Sequence, residues 1–179
     1  MKESWLMEEL IVKHTAIMDK YDKNKEVDLI VDEWGGWYEV SEGTNPGFLY
    51  QQNTMRDAMI AGMNLNIFNN HADRVKMANL AQAVNVLQAV ILTDKEKMIL
   101  TPTYHVMNMY KVHQDATLIP LSFDSPMYAY NKESLPALTV SASKDANDKV
   151  HISFTNIDTK NGTPVSIDLN ELGLKNMTG

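Results

Sequence analysis

The hydrophobic pattern of this chain changes its period once, near Gln114. Before that point apolar residues recur at the three- and four-residue spacing of amphipathic helices; beyond it they alternate with polar residues, as in strands that bury one face. Two successive periods predict two successive architectures, α/β followed by all-β. We place the boundary near residues 114 to 118.

The first part predicts helices alternating with buried strands. Residues 4–22 form an amphipathic pattern with Ser4 as a candidate N-cap, and the β-branched run 27–31 reads as a buried parallel strand. The helix stripe comprises Leu6, Leu10, Ile11, Ile17, Met18 and Tyr21.

Two further helices are predicted downstream. Thr54 and Asp57 have the spacing of a capping box, and the helix they open ends about residues 69–71. Residues 77–92 begin with a short strand, and Thr101-Pro102 opens a third helix. The residues expected to face inward are Met55, Met59, Met63 and Phe68 in the second helix, and Val106, Met109 and Tyr110 in the third.

The second part predicts an antiparallel meander. Apolar and polar residues alternate over 138–143, 150–155 and 165–169, with polar turns at 144–149 and 158–163. Each strand should therefore have one wet face, as in β-sandwiches. On the first strand that face would carry Thr139, Ser141 and Ser143.

Composition narrows the function classes. The 179 residues carry a formal net charge of -7 without clustered Lys or Arg, which argues against nucleic acid as a partner. There is no cysteine, and the five histidines form no pair with metal-ligand spacing, so we expect no metal and no cofactor. Without a signal sequence or an apolar membrane span, the sequence predicts a cytoplasmic chain that is not membrane-bound, and we expect its true N-terminus to lie upstream.

The residues that suggest chemistry follow the predicted strand 27–31 directly. Asp32 and Glu33 stand where active-site groups lie in parallel α/β barrels, and Trp34, Trp37 and Tyr38 could stack on a sugar. Taken alone, the acidic pair is more often a solvated turn, and the aromatic residues are more often core.

The longer string over residues 29–38, LIVDEWGGWY, resembles the nucleophile strand of family 51 α-L-arabinofuranosidases. A second match covers residues 71–86 and a third covers 101–110, in the same order. The resemblance extends over about residues 5–115.

This resemblance implies that residues 1–115 form the last two β/α units of a (β/α)₈ barrel and residues 116–179 a jelly-roll-like β-sandwich. It implies that Glu33 is the catalytic nucleophile of a retaining glycosidase that removes terminal α-L-arabinofuranosyl residues. Gln82 would hydrogen-bond the arabinose ring, and Trp37 would lie near the leaving group. His71 and Arg74 are interpreted as structural, pairing with Asp73 or with helix ends.

Retention also needs a second carboxyl group as acid/base. In the family it lies in an Asn-Glu dipeptide expected before residue 1; Asn170-Glu171 is interpreted as a coincidence, and Asp32 should point to the opposite face of its strand from Glu33. We therefore expect a fragment that is inactive alone and that either associates with itself or is completed by an N-terminal part.

The alternative is a non-catalytic remnant whose β-rich part serves structure or carbohydrate binding. A binding module should expose an aromatic row. The sandwich region offers only Phe123, Tyr128, Tyr130 and Phe154, and alternation turns Phe154 inward.

Overall fold

The chain begins with a long helix that is partly unpartnered. The computed structural model describes residues 1–169, 173 and 178, and its first helix, α1, spans Lys2–Tyr21. The helix begins before Ser4: Met1 is the N-cap, and no side chain caps it. Ser4 is therefore not the cap, because Lys2 and Glu3 already join the first turn, where an acidic residue favours the helix N-terminus.

A parallel strand pair forms the centre of the first part. Strand β1 (Leu29–Trp34) is followed by helix α2 (Met55–Asn70) and strand β2 (Val75–Leu80), and β1 pairs with β2 in parallel. The predicted capping box is confirmed, since the Thr54 side chain accepts from the backbone of the first turn and the Asp57 side chain accepts from the Thr54 N–H. Helix α2 also ends at the predicted place.

A hairpin and a third helix follow. Strands β3 (Ile91–Asp94) and β4 (Lys97–Leu100) are antiparallel, and helix α3 spans Pro102–Tyr110, with Pro102 at its first position as predicted. Short 3₁₀ turns occupy Pro46–Phe48 and Lys111–His113. Val106 and Tyr110 are buried, whereas Met109 is exposed, so the prediction that Met109 faces inward is wrong.

The first part has a buried core and unpartnered surfaces. Among residues 1–169, β1 and β2 pair only with each other, and Ile30 and Met77 are exposed on them. Of the α1 stripe only Ile11 is buried, so most of its apolar side chains face solvent. The buried cluster comprises Ile11, Trp34, Ala58, Ala61, Met63, Ile67, Phe68, Val75, Val106 and Tyr110.

The second part contains antiparallel strands. Strands β5 (Thr117–Ile119), β8 (Leu138–Lys144) and β9 (Val150–Asn156) form one sheet in the order β5-β8-β9, and β6 (Met127–Tyr130) and β7 (Glu133–Pro136) form a hairpin. The predicted pairing of β8 with β9 through the turn at 144–149 is confirmed.

Two predictions about the later strands are wrong. Residues 161–169 are all described and contain no strand, so the third strand of the predicted meander is absent; Val165 is 46% exposed there. Phe154 is 40% exposed and lines a cavity of about 500 Å³ instead of pointing to the core, because this face of the sheet is covered by loops. Asn170 and Glu171 lie outside the described residues.

The predicted wet face of β8 is buried. Thr139, Ser141 and Ser143 are each at most 5% exposed, because α2 and the turn after α3 cover them. Asn66 donates to the Thr139 hydroxyl and accepts from Ser141, while His113 contacts the hydroxyls of Ser143 and Ser153. Alternation identified two faces correctly but not what covers the polar one.

Candidate active site

The carboxyl ends of the two parallel strands meet at one edge. Trp34 pairs with Leu80, and the Ala81 N–H donates to the Trp34 carbonyl at 2.8 Å. Glu33 is the penultimate residue of β1, and Gln82 follows β2 by two positions, after a cis peptide bond with Ala81. Both side chains are exposed. Their backbone positions bring Glu33 and Gln82 to the same edge of the sheet.

The segment after β1 turns sharply, and glycine is needed twice. Gly35 has a φ of +142°, and a Cβ there would lie 3.1 Å from the Ala81 carbonyl oxygen. A Cβ on Gly36 would lie 2.7 Å from the Tyr38 ring. These glycines let the chain cross the end of β2 closely.

Two buried glutamines hold this segment. Gln88 accepts from the Gly36 N–H at 2.7 Å. Gln51 donates to the Gly36 carbonyl and accepts from the Tyr38 N–H, both at 2.9 Å. Gln51 is 2% exposed and Gln88 is fully buried, so the loop is fixed from inside the protein.

The three aromatic residues of the motif, Trp34, Trp37 and Tyr38, differ in burial. Trp34 is 4% exposed and packs edge-on against Phe68, with ring centroids 5.5 Å apart, so it belongs to the core. Tyr38 is half-buried beneath the Arg56 guanidinium, which lies 3.5 Å from the ring centroid, and burial raises the pKa of its phenol. Trp37 is 65% exposed and can contact a ligand.

The acidic residues of β1 both face solvent. Asp32 and Glu33 are exposed, so neither is a buried structural carboxyl. An accessible carboxylate at a strand end can attack an electrophilic carbon, and an exposed indole and a glutamine amide are groups that can hold a sugar.

His71 and Arg74 make structural contacts with α1. Arg74 is 1% exposed and pairs with Asp19 at 2.6 Å and with Asp22 at the helix C-terminus; it does not pair with Asp73, which Lys25 contacts instead. The hydrogen bond from Arg74 lowers the pKa of Asp22 to about 2.

The ion pair of His71 lies elsewhere on α1. Its Nε2 lies 2.9 Å from the Glu8 carboxylate, and this hydrogen bond raises the pKa of His71. Neither His71 nor Arg74 is positioned near the strand ends that carry Glu33 and Gln82.

The described residues contain no group of three or more His, Asp or Glu side chains placed to hold a metal ion. None of the helices in this part of the chain is long and apolar enough to cross a membrane.

Sequence reasoning missed the residues that support the site. Gln51, Gln88 and Arg56 lie outside the strand-end motif, and each contacts it across a separation in sequence, 52 residues for Gln88 and Gly36. No period or local spacing marks such contacts. Only the proximity of Gln51 to the helix start at Thr54 weakly indicated a structural role for Gln51 near the site.

Comparison with known proteins identifies the family. The family model of the alpha-L-arabinofuranosidase C-terminal domain matches residues 32–178. An intracellular exo-alpha-L-arabinofuranosidase of Bacteroides ovatus is 45% identical over 97% of this chain and 34% of its own length.

Solved structures agree with this match. The GH51 arabinofuranosidase of Xanthomonas axonopodis pv. citri superposes with a TM-score of 0.85 and 56% identity, over 88% of this chain and 32% of that one. The Thermotoga maritima alpha-L-arabinofuranosidase, solved as an arabinose complex, gives a TM-score of 0.68 and 26% identity, over 86% of this chain and 34% of its own. The chain thus spans about a third of the length of these relatives. It belongs to the glycoside hydrolase family 51 α-L-arabinofuranosidases, whose C-terminal domain it matches.

Proposed function

We propose that this chain supplies the nucleophile of a retaining α-L-arabinofuranosidase. Glu33 attacks the anomeric carbon of a terminal α-L-arabinofuranosyl residue while the glycosidic bond breaks and the leaving oxygen takes a proton from the acid/base. Water, activated by the same acid/base, then hydrolyses the covalent glycosyl-Glu33 ester. The observation that carries the proposal is the shared edge of β1 and β2, at which exposed Glu33 and Gln82 both emerge.

Gln82 and Trp37 take binding roles. The amide of Gln82 hydrogen-bonds the arabinose ring, and the exposed Trp37 indole packs against the sugar or group on the leaving side of the bond. The substrates are arabinose-containing oligosaccharides or polysaccharides, and no cofactor takes part, because displacement by a carboxylate needs none.

The acid/base comes from another part of the complete enzyme. Retaining glycosidases place their two carboxyl groups about 5–5.5 Å apart, on opposite sides of the scissile bond. Asp32 is adjacent to Glu33 in the same strand, where successive side chains point to opposite faces, so it is a poor candidate for that position.

The unpartnered surfaces of the first part support an incomplete barrel. Residues 1–115 form its last two β/α units, and the antiparallel strands that follow belong to a β-sandwich domain that packs against α2. The two-stranded parallel sheet and the exposed apolar stripe of α1 are surfaces that further barrel strands and helices would cover. The partner is therefore the remainder of the enzyme, or another copy of this chain.

Relatives named as intracellular enzymes favour a cytoplasmic location.

Replacement of Glu33 in the complete enzyme tests the proposal. Glu33→Ala should lower the rate by several orders of magnitude, and added azide should restore cleavage with inversion, because the small anion occupies the vacated space. Asp32→Asn is the matched control: it alters an exposed carboxylate on the same strand and should respond to azide in no comparable way. A Glu33→Ala enzyme that keeps more than about a tenth of the rate contradicts the proposal.

A further inference from the structure

Gln88 connects the candidate site to two helices. Its side chain is fully buried; Oε1 accepts from the Gly36 N–H at 2.7 Å, and Nε2 donates to the Asp57 carbonyl at 2.7 Å and to the Thr103 hydroxyl at 3.2 Å. Asp57 lies in the first turn of α2 and Thr103 in the first turn of α3. One amide therefore fixes the loop after β1 relative to both helix starts.

The backbone of the loop around Gly36 is tightly packed and has few other conformations available. A Cβ on Gly36 would lie 3.3 Å from the Gln88 Oε1 and 2.7 Å from the Tyr38 ring, so the backbone is packed directly against these groups. If the Gln88 amide is lost, the Gly36 N–H loses its partner inside the protein, where an unpaired donor is unfavourable.

The position of Trp37 depends on this backbone. Gln88 holds the Gly36 N–H, and Gln51 holds the Gly36 carbonyl and the Tyr38 N–H, so the chain is fixed on both sides of Trp37. The indole itself is 65% exposed and has little protein around it to keep it in place.

We propose that Gln88 is a positioning residue for Trp37: its amide holds the Gly35–Tyr38 loop so that the indole stands beside the leaving group. This inference rests on the proposed function of Trp37. Gln88 does not touch the substrate; it acts through the Gly36 peptide, and its loss should act on the leaving-group side more than on the arabinose ring.

Hydrogen exchange in the complete enzyme tests the structural half without any activity. Gln88→Met removes the amide at nearly constant volume, and exchange of the Gly36 amide should accelerate by about tenfold or more. Asn64→Leu is the matched control, because Asn64 is a 3% exposed amide of α2 whose side chain donates to the Ile60 carbonyl and not to the loop. Unchanged exchange in Gln88→Met overturns the inference.

A gentler variant covers the case in which Gln88→Met fails to fold. Thr103→Val is nearly isosteric and removes only the longer of the two bonds that Gln88 Nε2 donates. It should accelerate exchange of the Gly36 amide in the same direction by a smaller factor. An unchanged rate there, with Gln88→Met unfolded, also overturns the inference.

Kinetics test the functional half through a double-mutant cycle. Gln88→Met should lower kcat/KM for an arabino-oligosaccharide by about tenfold, and less for an aryl arabinofuranoside with an activated leaving group. In a Trp37→Ala enzyme the same change should lower kcat/KM by no more than about two- to threefold, because the indole that Gln88 positions is already absent. An equal loss in both backgrounds means that Gln88 acts only through general stability and overturns the inference.

A wild-type enzyme without arabinofuranosidase activity refutes the proposed function instead, while the exchange result still decides whether Gln88 holds the loop.

Discussion

Gly62 of helix α2 lies directly against Thr155 of strand β9. A Cβ on Gly62 would stand 2.3 Å from the Thr155 hydroxyl oxygen and 3.3 Å from its Cβ, and that hydroxyl also lies 3.0 Å from the buried Tyr110 hydroxyl. Burial raises the pKa of Tyr110 to about 12. The helix thus approaches the antiparallel sheet at a point where only glycine fits.

Gly62→Ala should destabilise the protein although alanine favours helices. Overpacking costs about 1–3 kcal/mol, which outweighs the roughly 1 kcal/mol gained in helix propensity. Chemical denaturation of the complete enzyme measures the difference. In a Thr155→Ala background the cost should shrink or reverse, since the clashing atoms are removed; an undiminished cost there would point away from this contact.

Stability should fall at acidic pH as Asp22 is protonated. Its hydrogen bond with Arg74 holds the folded-state pKa at about 2, below the ordinary value of 3.8. A lowered folded-state pKa means that the unfolded chain binds protons first, so the stabilisation is full above about pH 4 and is lost as the pH falls toward 2.

Asp22→Asn removes this contribution and should reduce the slope of unfolding free energy against pH between about 4 and 2. Asp148→Asn, which removes an 85% exposed carboxylate paired with Lys144, serves as the control for the loss of one surface charge. A wild-type curve that is already flat in this window would contradict the prediction.

Gln82→Ala should weaken binding of the transition state without changing the acid-base chemistry of the reaction. In the complete enzyme kcat/KM should drop by one to three powers of ten, about 1.5–4 kcal/mol, because the proposed hydrogen bond from Gln82 to the sugar should tighten as the oxocarbenium-like state forms. The pH optimum should stay in place, since an amide does not titrate. An unchanged kcat/KM would remove Gln82 from the site.

The isolated 179-residue chain should be inactive and should associate. Exposed Ile30 and Met77 on a two-stranded sheet, together with the α1 stripe, leave apolar surface and strand edges available to another copy. Size-exclusion chromatography should give a dimer or larger species, and p-nitrophenyl α-L-arabinofuranoside should not be cleaved above the buffer rate. A monomer with Glu33-dependent hydrolysis would contradict both expectations.

The sequence predicted best those features that depend on near neighbours. The Thr54–Asp57 capping box, Pro102 at the start of α3 and the β8–β9 turn are local signals, and all three are confirmed. The strand that ends in Asp32-Glu33-Trp34 was likewise visible as a β-branched run, although it begins two residues later than predicted.

Features that depend on distant partners were not predictable in the same way. Alternation marked Ser141 as solvent-facing, yet its side chain is buried. Its hydroxyl donates to the side-chain oxygen of Asn66, a buried residue of α2 that lies 75 positions away in sequence. The hydrogen bond from the Gly36 N–H to the Gln88 side chain likewise joins residues far apart in sequence. Polar residues buried by mutual hydrogen bonds look like surface residues in a hydrophobicity pattern.

The most direct test of the central claim is covalent trapping of the nucleophile. In the complete enzyme, a 2-fluoro arabinofuranosyl inactivator with a good leaving group should form a glycosyl ester that hydrolyses slowly, and peptide mass spectrometry should locate one sugar on Glu33. Asp32, the exposed carboxyl beside it, should stay unmodified. Inactivation with the sugar attached to any other residue would contradict the assignment of Glu33 as the nucleophile.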